Sequence, residues 1–219
     1  MKKFFSIFVP AAAVLILAAS CNKIQEIPVQ TGEQITIKAS IPEITKVEFE
    51  ANTESNDLHL KWTDDDVLRV ISATGSQEFV IKDGYTDHEA EFTGTAVSGE
   101  SFSILLPGDE FSTVAEAQAY NYEDQVQNGN GNTDHLRFIA CLQGVDSYQN
   151  FTFSEEWATA HGGTLYMPGI VKVIATMPSG VTSVVKAGMS CSYGKFTIGL
   201  KNVDVSASSQ VLTAYAMLP

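Results

Sequence analysis

Arginine is scarce. Only Arg69 and Arg137 occur in 219 residues, and Lys and Arg together number 13 against 26 Asp and Glu, a formal net charge of −13. Phosphate backbones are held by clustered cations, so the composition excludes nucleic acid as a partner. Cysteine is limited to Cys21, Cys141 and Cys191, and none stands beside a histidine at zinc spacing. The four histidines, His59, His88, His135 and His161, are scattered. No His-Glu-x-x-His pair, Gly-x-Ser-x-Gly elbow, phosphate loop or dinucleotide fingerprint is present. With no constellation for catalysis, the expectation is a protein that is not an enzyme and carries no cofactor or metal. Long apolar runs are missing too. The longest, Phe4 to Ala19, is broken by Ser6 and Pro10 and falls short of the roughly 20 residues that span a bilayer.

That short run does have a pattern. Lys2 and Lys3 precede it, and it ends in Leu17-Ala18-Ala19-Ser20-Cys21. A basic start, a short apolar stretch and small residues at the exit describe a secretory signal over residues 1–20. Small residues followed by Cys resemble a bacterial lipobox, in which Cys21 is acylated and becomes the new N-terminus. Ala18 and Leu17 depart by one step from the usual lipobox order. Residue 22 is Asn rather than the Asp of inner-membrane retention, so the expected location is the outer membrane or cell surface, lipid-anchored. Several acyl chains give stable anchoring where one does not. Residues 21–33, polar and containing Pro28 and Gly32, read as a tether.

From residue 34 the hydrophobic period is two. Ile35, Ile37, Ala39 and Ile41 alternate with Gln34, Thr36, Lys38 and Ser40, a half-buried strand that Pro42 ends. Further strands are expected at 67–71, 79–82, 88–93, 101–106, 136–142, 151–153, 170–177, 182–186, 195–200 and 211–217, separated by Gly, Pro, Asn and Asp. Ser112 to Ala119 and Ser154 to Ala160 alone look helical. Residues 34–219 are therefore expected to form an all-β domain, an antiparallel β-sandwich with one or two short helices.

Four local features invite a sharper reading. Asp64-Asp65-Asp66 could hold Ca²⁺, but consecutive acids more often make a solvated turn. Asn128-Gly129-Asn130-Gly131-Asn132-Thr133-Asp134 alternates oxygen-bearing side chains as Ca²⁺ loops do. It has a single acid, and Ile139 stands where a closing Glu is needed, so a flexible Asn-Gly loop is favoured. Tyr120, Tyr122 and Tyr148 could stack on sugars or lie in the core. Cys141 and Cys191 could pair in an oxidising compartment, although free buried thiols are favoured because a domain of this size needs no staple.

Lys61-Trp62-Thr63-Asp64-Asp65-Asp66-Val67-Leu68-Arg69-Val70 resembles a segment of the fimbrillin (FimA/Mfa-like) family of Bacteroidales outer-membrane lipoproteins. Ala90-Glu91-Phe92-Thr93-Gly94 is similar to the family's A-x-F-x-G hairpin, and Ser103 to Pro107 to its apolar strand ending in Pro. Gln125-Val126-Gln127-Asn128-Gly129-Asn130, with Asp134-His135-Leu136, resembles its Q-x-Q-x-G-N and H-L loop. Val211 to Pro219 resembles the strand that closes its N-terminal domain. The resemblance implies a transthyretin-like sandwich in a structural or accessory subunit of a fimbria or pilus. Such subunits assemble by strand exchange: a protease removes the first strand and a neighbouring subunit's strand replaces it. The exchangeable strand here is the one carrying Ile35, Ile37, Ala39 and Ile41. The family cleaves after Arg; the matching stretch offers Lys46 as the processing point. The sequence ends at Pro219, where the family begins a second domain, so the expectation is a truncated or one-domain member. Expected partners are other pilus subunits, the membrane through the lipid, and a host glycan or protein if the subunit is adhesive. The alternative is a carbohydrate-binding surface lipoprotein.

Overall fold

The computed structural model describes residues 32–42, 50–51, 58–191, 194–206 and 210–218. Cys21, Lys46, the signal segment 1–20 and all of the 21–33 tether except Gly32 and Glu33 lie outside the described residues. The chain opens with β1 (Gln34–Ser40), β2 (Glu50–Ala51), β3 (Leu58–His59), β4 (Val67–Ser72), β5 (Gly75–Ile81), β6 (Glu89–Thr95) and β7 (Phe102–Leu106). The helix α1 (Val114–Gln118) precedes β8 (Val126–Asn128), β9 (Ala140–Val145) and β10 (Asn150–Thr152). After α2 (Glu155–Ala160) come β11 (Thr164–Tyr166), β12 (Gly169–Thr176), β13 (Lys186–Cys191), β14 (Gly194–Lys201) and β15 (Val211–Leu218). Among the described residues the fold is all-β with two short helices, as the period of two requires.

Eight strands form one sheet in the order β10-β1-β6-β5-β4-β7-β9-β11. Alternation decides which side chains turn inward: Ala90 and Phe92 of β6, Leu68 and Val70 of β4, and Phe102, Ile104 and Leu106 of β7 are all buried. β7 and β9 are covered on both faces, since Leu105, Ala140, Cys141 and Leu142 are also buried and α1 packs on both strands. Thr113 caps α1 in a reciprocal box with Glu116. Ser154 caps α2 by accepting the Trp157 N–H. α2 touches β10 and β11, the two edges of the sheet, so the sheet curls round on itself and this helix bridges its margins.

A smaller layer is built from β12 paired with β15 and from β13-β14-β8. Its core holds Ile198, Leu200, Val203, Val205, Leu212 and Ala214. β15 serves both cores. Leu212 and Ala214 belong to the smaller one, whereas Tyr215 and Met217 enter the main core with Trp62, Phe79, Phe92 and Phe153.

Two pairings in this antiparallel-rich fold run parallel, β1 with β10 and β14 with β8. The expected strand at 136–142 joins the ladder only from Ala140. Leu136, Phe138 and Ile139 are buried as the pattern required, but the backbone among them is engaged elsewhere, with the Arg137 N–H 2.9 Å from Met217 Sδ. At 182–186 the chain makes a single bridge, Ser183 to Asp204, and regular pairing starts at Lys186.

Candidate functional site

The strand singled out by its apolar row is not at an edge. β1 lies between β6, antiparallel, and β10, parallel. Its pairing with β6 is complete, from Gln34 opposite Thr95 to Ser40 opposite Glu89. Hydrogen bonds continue past both ends, Ala96 N–H to Glu33 C=O at 2.8 Å and Ile41 N–H to His88 C=O at 3.0 Å. On the other side Lys38 N–H donates to Gln149 C=O at 2.9 Å and Phe153 N–H to Ser40 C=O at 3.0 Å. Removing β1 therefore leaves two strand edges facing each other across a one-strand gap.

The floor of that gap is apolar. Ile37, Ala39 and Ile41 are buried and Ile35 is half-buried, while Gln34, Thr36 and Lys38 are exposed. Ile37 stands opposite Phe92, and Ala39 stands between Ala90 and Phe151 in register. The Phe151 ring packs on Phe153 at 5.2 Å and on Trp157 at 6.1 Å. Beside so large a ring only a small side chain is present, so the strand carries a size pattern as well as a polarity pattern. Each buried isoleucine contributes about 1.5–3 kcal/mol relative to exposure.

The other motifs have structural roles around this strand. Trp62 is buried, edge-on to Phe92 with centroids 5.2 Å apart. Asp66 closes the turn after it: its carboxylate accepts the Thr63 N–H at 2.7 Å, and its own N–H returns to Thr63 C=O at 3.1 Å. Burial pushes the Asp66 carboxyl up to about 6 despite those hydrogen bonds. Asp64 and Asp65 face solvent, and Asp64 accepts the Tyr85 hydroxyl at 2.6 Å. Gly94 has no side chain because a Cβ there would lie 2.7 Å from the Phe79 ring and 2.5 Å from Glu78 C=O.

In the Asn-Gly segment the polar side chains are used within the protein. Gln125, Gln127 and Asn130 bond to the backbone of β15. Asn128 accepts from Asn202 at 2.9 Å, and Asn132 bonds Asp134. His135 Nε2 lies 2.9 Å from Tyr215 C=O and so carries the proton, and burial lowers its pKa, keeping the ring neutral. His161 bonds Trp157 C=O at 2.9 Å and stacks on the Trp157 ring. Tyr122 and Tyr148 are buried, and Tyr120 packs between Phe111 and Tyr122, so these three rings are core members rather than an exposed platform. The Tyr148 hydroxyl bonds Val97 C=O and N–H. Cys141 is a buried free thiol whose pKa burial pushes up to about 12. The Cys191 side chain lies outside the described residues.

The structure thus joins Ile35, Ile37, Ala39 and Ile41 in one row. Sequence reasoning missed two things. One is that the row lies inside a sheet; the only hint was the short Phe151–Phe153 run, whose parallel register no local pattern encodes. The other is a surface groove against the outer face of the same strand, lined by Tyr85, which follows the Asp83-Gly84 turn, and by Glu89 and Glu91. An aromatic directly after a turn glycine was the available signal. The chain matches no family model, no curated protein and no solved structure.

Proposed function

We propose that this chain is a lipid-anchored surface subunit, structural or accessory, of a fimbria assembled by strand exchange, with β1 as the strand exchanged. The observation that carries the reading is the place of β1. It is a seven-residue strand with a neighbour on each side and an apolar row beneath. Its departure leaves a slot that offers main-chain bonds on both flanks and side-chain pockets below. Strand addition uses those two elements, main-chain bonds for affinity and alternate pockets for specificity. An empty slot would expose Phe92 and Phe151 to water, so release of β1 and arrival of a donor are coupled. Cys21 supplies the anchor and Lys46, a few residues past Pro42, the processing point. The fimbrillin resemblance supports the same reading.

The test is limited trypsin digestion of the purified protein, followed by N-terminal sequencing, with a synthetic peptide of residues 33–42 as donor. The expected first cut follows Lys46. The cut protein then takes up labelled peptide, and a peptide with Ala39→Leu binds far more weakly because its side chain meets Phe151. If residues 33–41 stay bound against excess peptide and no larger species forms on a sizing column, strand exchange is wrong for this chain.

A further inference from the structure

Against the outer face of β1 and β6 the turn at 83–86 borders an open groove of about 490 Å³. We infer that this groove is a binding site for a neutral saccharide. Its wall is Tyr85, half-buried and fixed in place because its hydroxyl is committed to Asp64 at 2.6 Å. A tyrosine held this way offers a ring face to the C–H side of a sugar, and ring burial is worth more when no rotamer freedom is lost on binding. Along the rest of the groove stand acceptors, Asp83, Glu89 and Glu91, and donors, Lys38 and Asn150.

The lining selects among ligand classes. Ala39 and Ala90 turn their side chains into the core, so the groove floor is backbone and polar side chain, with no apolar cleft for a lipid or an apolar peptide. An anion would face three carboxylates. The one lysine in the lining, Lys38, is already 3.7 Å from Glu91, and Glu91 is also held by Lys82 at 2.8 Å. A saccharide matches what is left. Each hydroxyl both donates and accepts, so vicinal hydroxyls can donate hydrogen bonds to the carboxylates and accept them from Lys38 and Asn150. The volume lies within the range of small-molecule sites. The groove exists with β1 in place, so its occupancy and the exchange of β1 are separate events read by separate experiments.

The experiment is a titration of the purified ¹⁵N-labelled protein, followed by amide spectra, with maltose, cellobiose, lactose and N-acetyllactosamine, and with the uronic-acid counterpart of whichever binds. The expected result is movement of the Ser40, Tyr85, Thr86 and Glu91 amides with at least one neutral sugar, at millimolar affinity. The uronic acid binds more weakly, and Tyr85→Ala weakens binding by about tenfold, close to the worth of one aromatic contact. Glu89→Gln, at an exposed position, carries the same test should Tyr85→Ala disturb the turn. The inference is overturned if no neutral sugar moves these amides at about 50 mM. It is equally overturned if the acidic sugar binds more tightly, or if both variants bind as the parent does.

Discussion

Gln127 stands in for a β-strand beside Tyr215. Its Oε1 accepts the Tyr215 N–H at 2.9 Å, and its Nε2 donates to Thr213 C=O at 2.9 Å. Neighbours repeat the arrangement. Asn130 accepts from Thr213 N–H at 2.8 Å and donates to Val211 C=O at 2.9 Å. Gln125 accepts from Met217 N–H at 2.8 Å and donates to Met217 C=O at 2.9 Å. His135 takes up Tyr215 C=O. β12 occupies one edge of β15, and side chains, joined by the Gly131 N–H on Thr213 C=O at 2.9 Å, close the other. An edge strand with free N–H and C=O groups is a template for unwanted pairing, and here it is sealed without a strand.

Gln127 is fully buried, so Gln127→Ala strands the Tyr215 N–H out of water, while Thr213 C=O keeps its bond from the Gly131 N–H at 2.9 Å. The expected loss is about 1–3 kcal/mol, read by urea unfolding. Gln127→Glu keeps an acceptor and loses the donor. Its deficit should shrink as the pH falls and the new carboxyl gains a proton to give to Thr213 C=O. A Gln127→Glu variant equally unstable at every pH would refute the donor role.

Gly108 lies against the backbone of β4. A Cβ there would stand 2.2 Å from Arg69 N and 2.3 Å from Leu68 C. The same contact is held by Gly108 N–H to Val67 C=O at 2.6 Å and by Arg69 Nε–H to Gly108 C=O at 2.7 Å. Backbone cannot move aside as a flexible side chain can, so Gly108→Ala should cost at least about 1–3 kcal/mol. Gly169→Ala, whose nearest neighbour would be 3.9 Å away, should cost far less. Equal thermal midpoints for the two variants would contradict this packing.

Asp66 makes stability depend on pH in a defined direction. Burial raises its folded pKa from 3.8 to about 6, so the folded state holds this proton more tightly than the unfolded state. Its contribution is complete below the unfolded pKa and is lost as pH rises through about 6. Asp66→Asn retains an oxygen for the Thr63 N–H and removes the buried charge. The stability of the variant relative to the parent should therefore increase between pH 4 and pH 7, roughly the span of the two pKa values. A constant difference across that range, measured by thermal melts, would show that folding does not raise the Asp66 pKa.

Cys21 is expected to carry the lipid. Cys21→Ser should abolish metabolic labelling with a palmitate analogue and leave the precursor uncleaved. Normal labelling of the variant would place the lipid elsewhere or remove it from the account.

Alternation carried most of the fold. Strands with a buried row, such as β1, β6 and β7, are legible because burying every second residue leaves its mark on composition. β2, β3, β8 and β11 are two or three residues long, too short for any period to register. Gln125, Gln127 and Asn130 were visible as a motif, but their partners are more than 80 residues away, and no spacing rule reports a side chain pairing with a distant backbone. The apolar row of β1 was legible in full; its position between β6 and β10 was not, because strand order is a property of the whole sheet. The smaller core was hidden for a related reason. β15 reads as one continuous apolar run, and only the fold divides its two faces between two interiors.

The enclosure of β1 sets a kinetic and competitive condition on any exchange. While the chain is continuous beyond Pro42, β1 is an intramolecular ligand of its own slot, present at an effective concentration of order millimolar. A free donor at about micromolar concentration competes at a disadvantage of roughly a thousandfold, even with an identical sequence. Cutting the connection changes no contact in the slot. It converts the resident strand into a separate, dissociable ligand, and the contest then turns on which strand is supplied at higher local concentration.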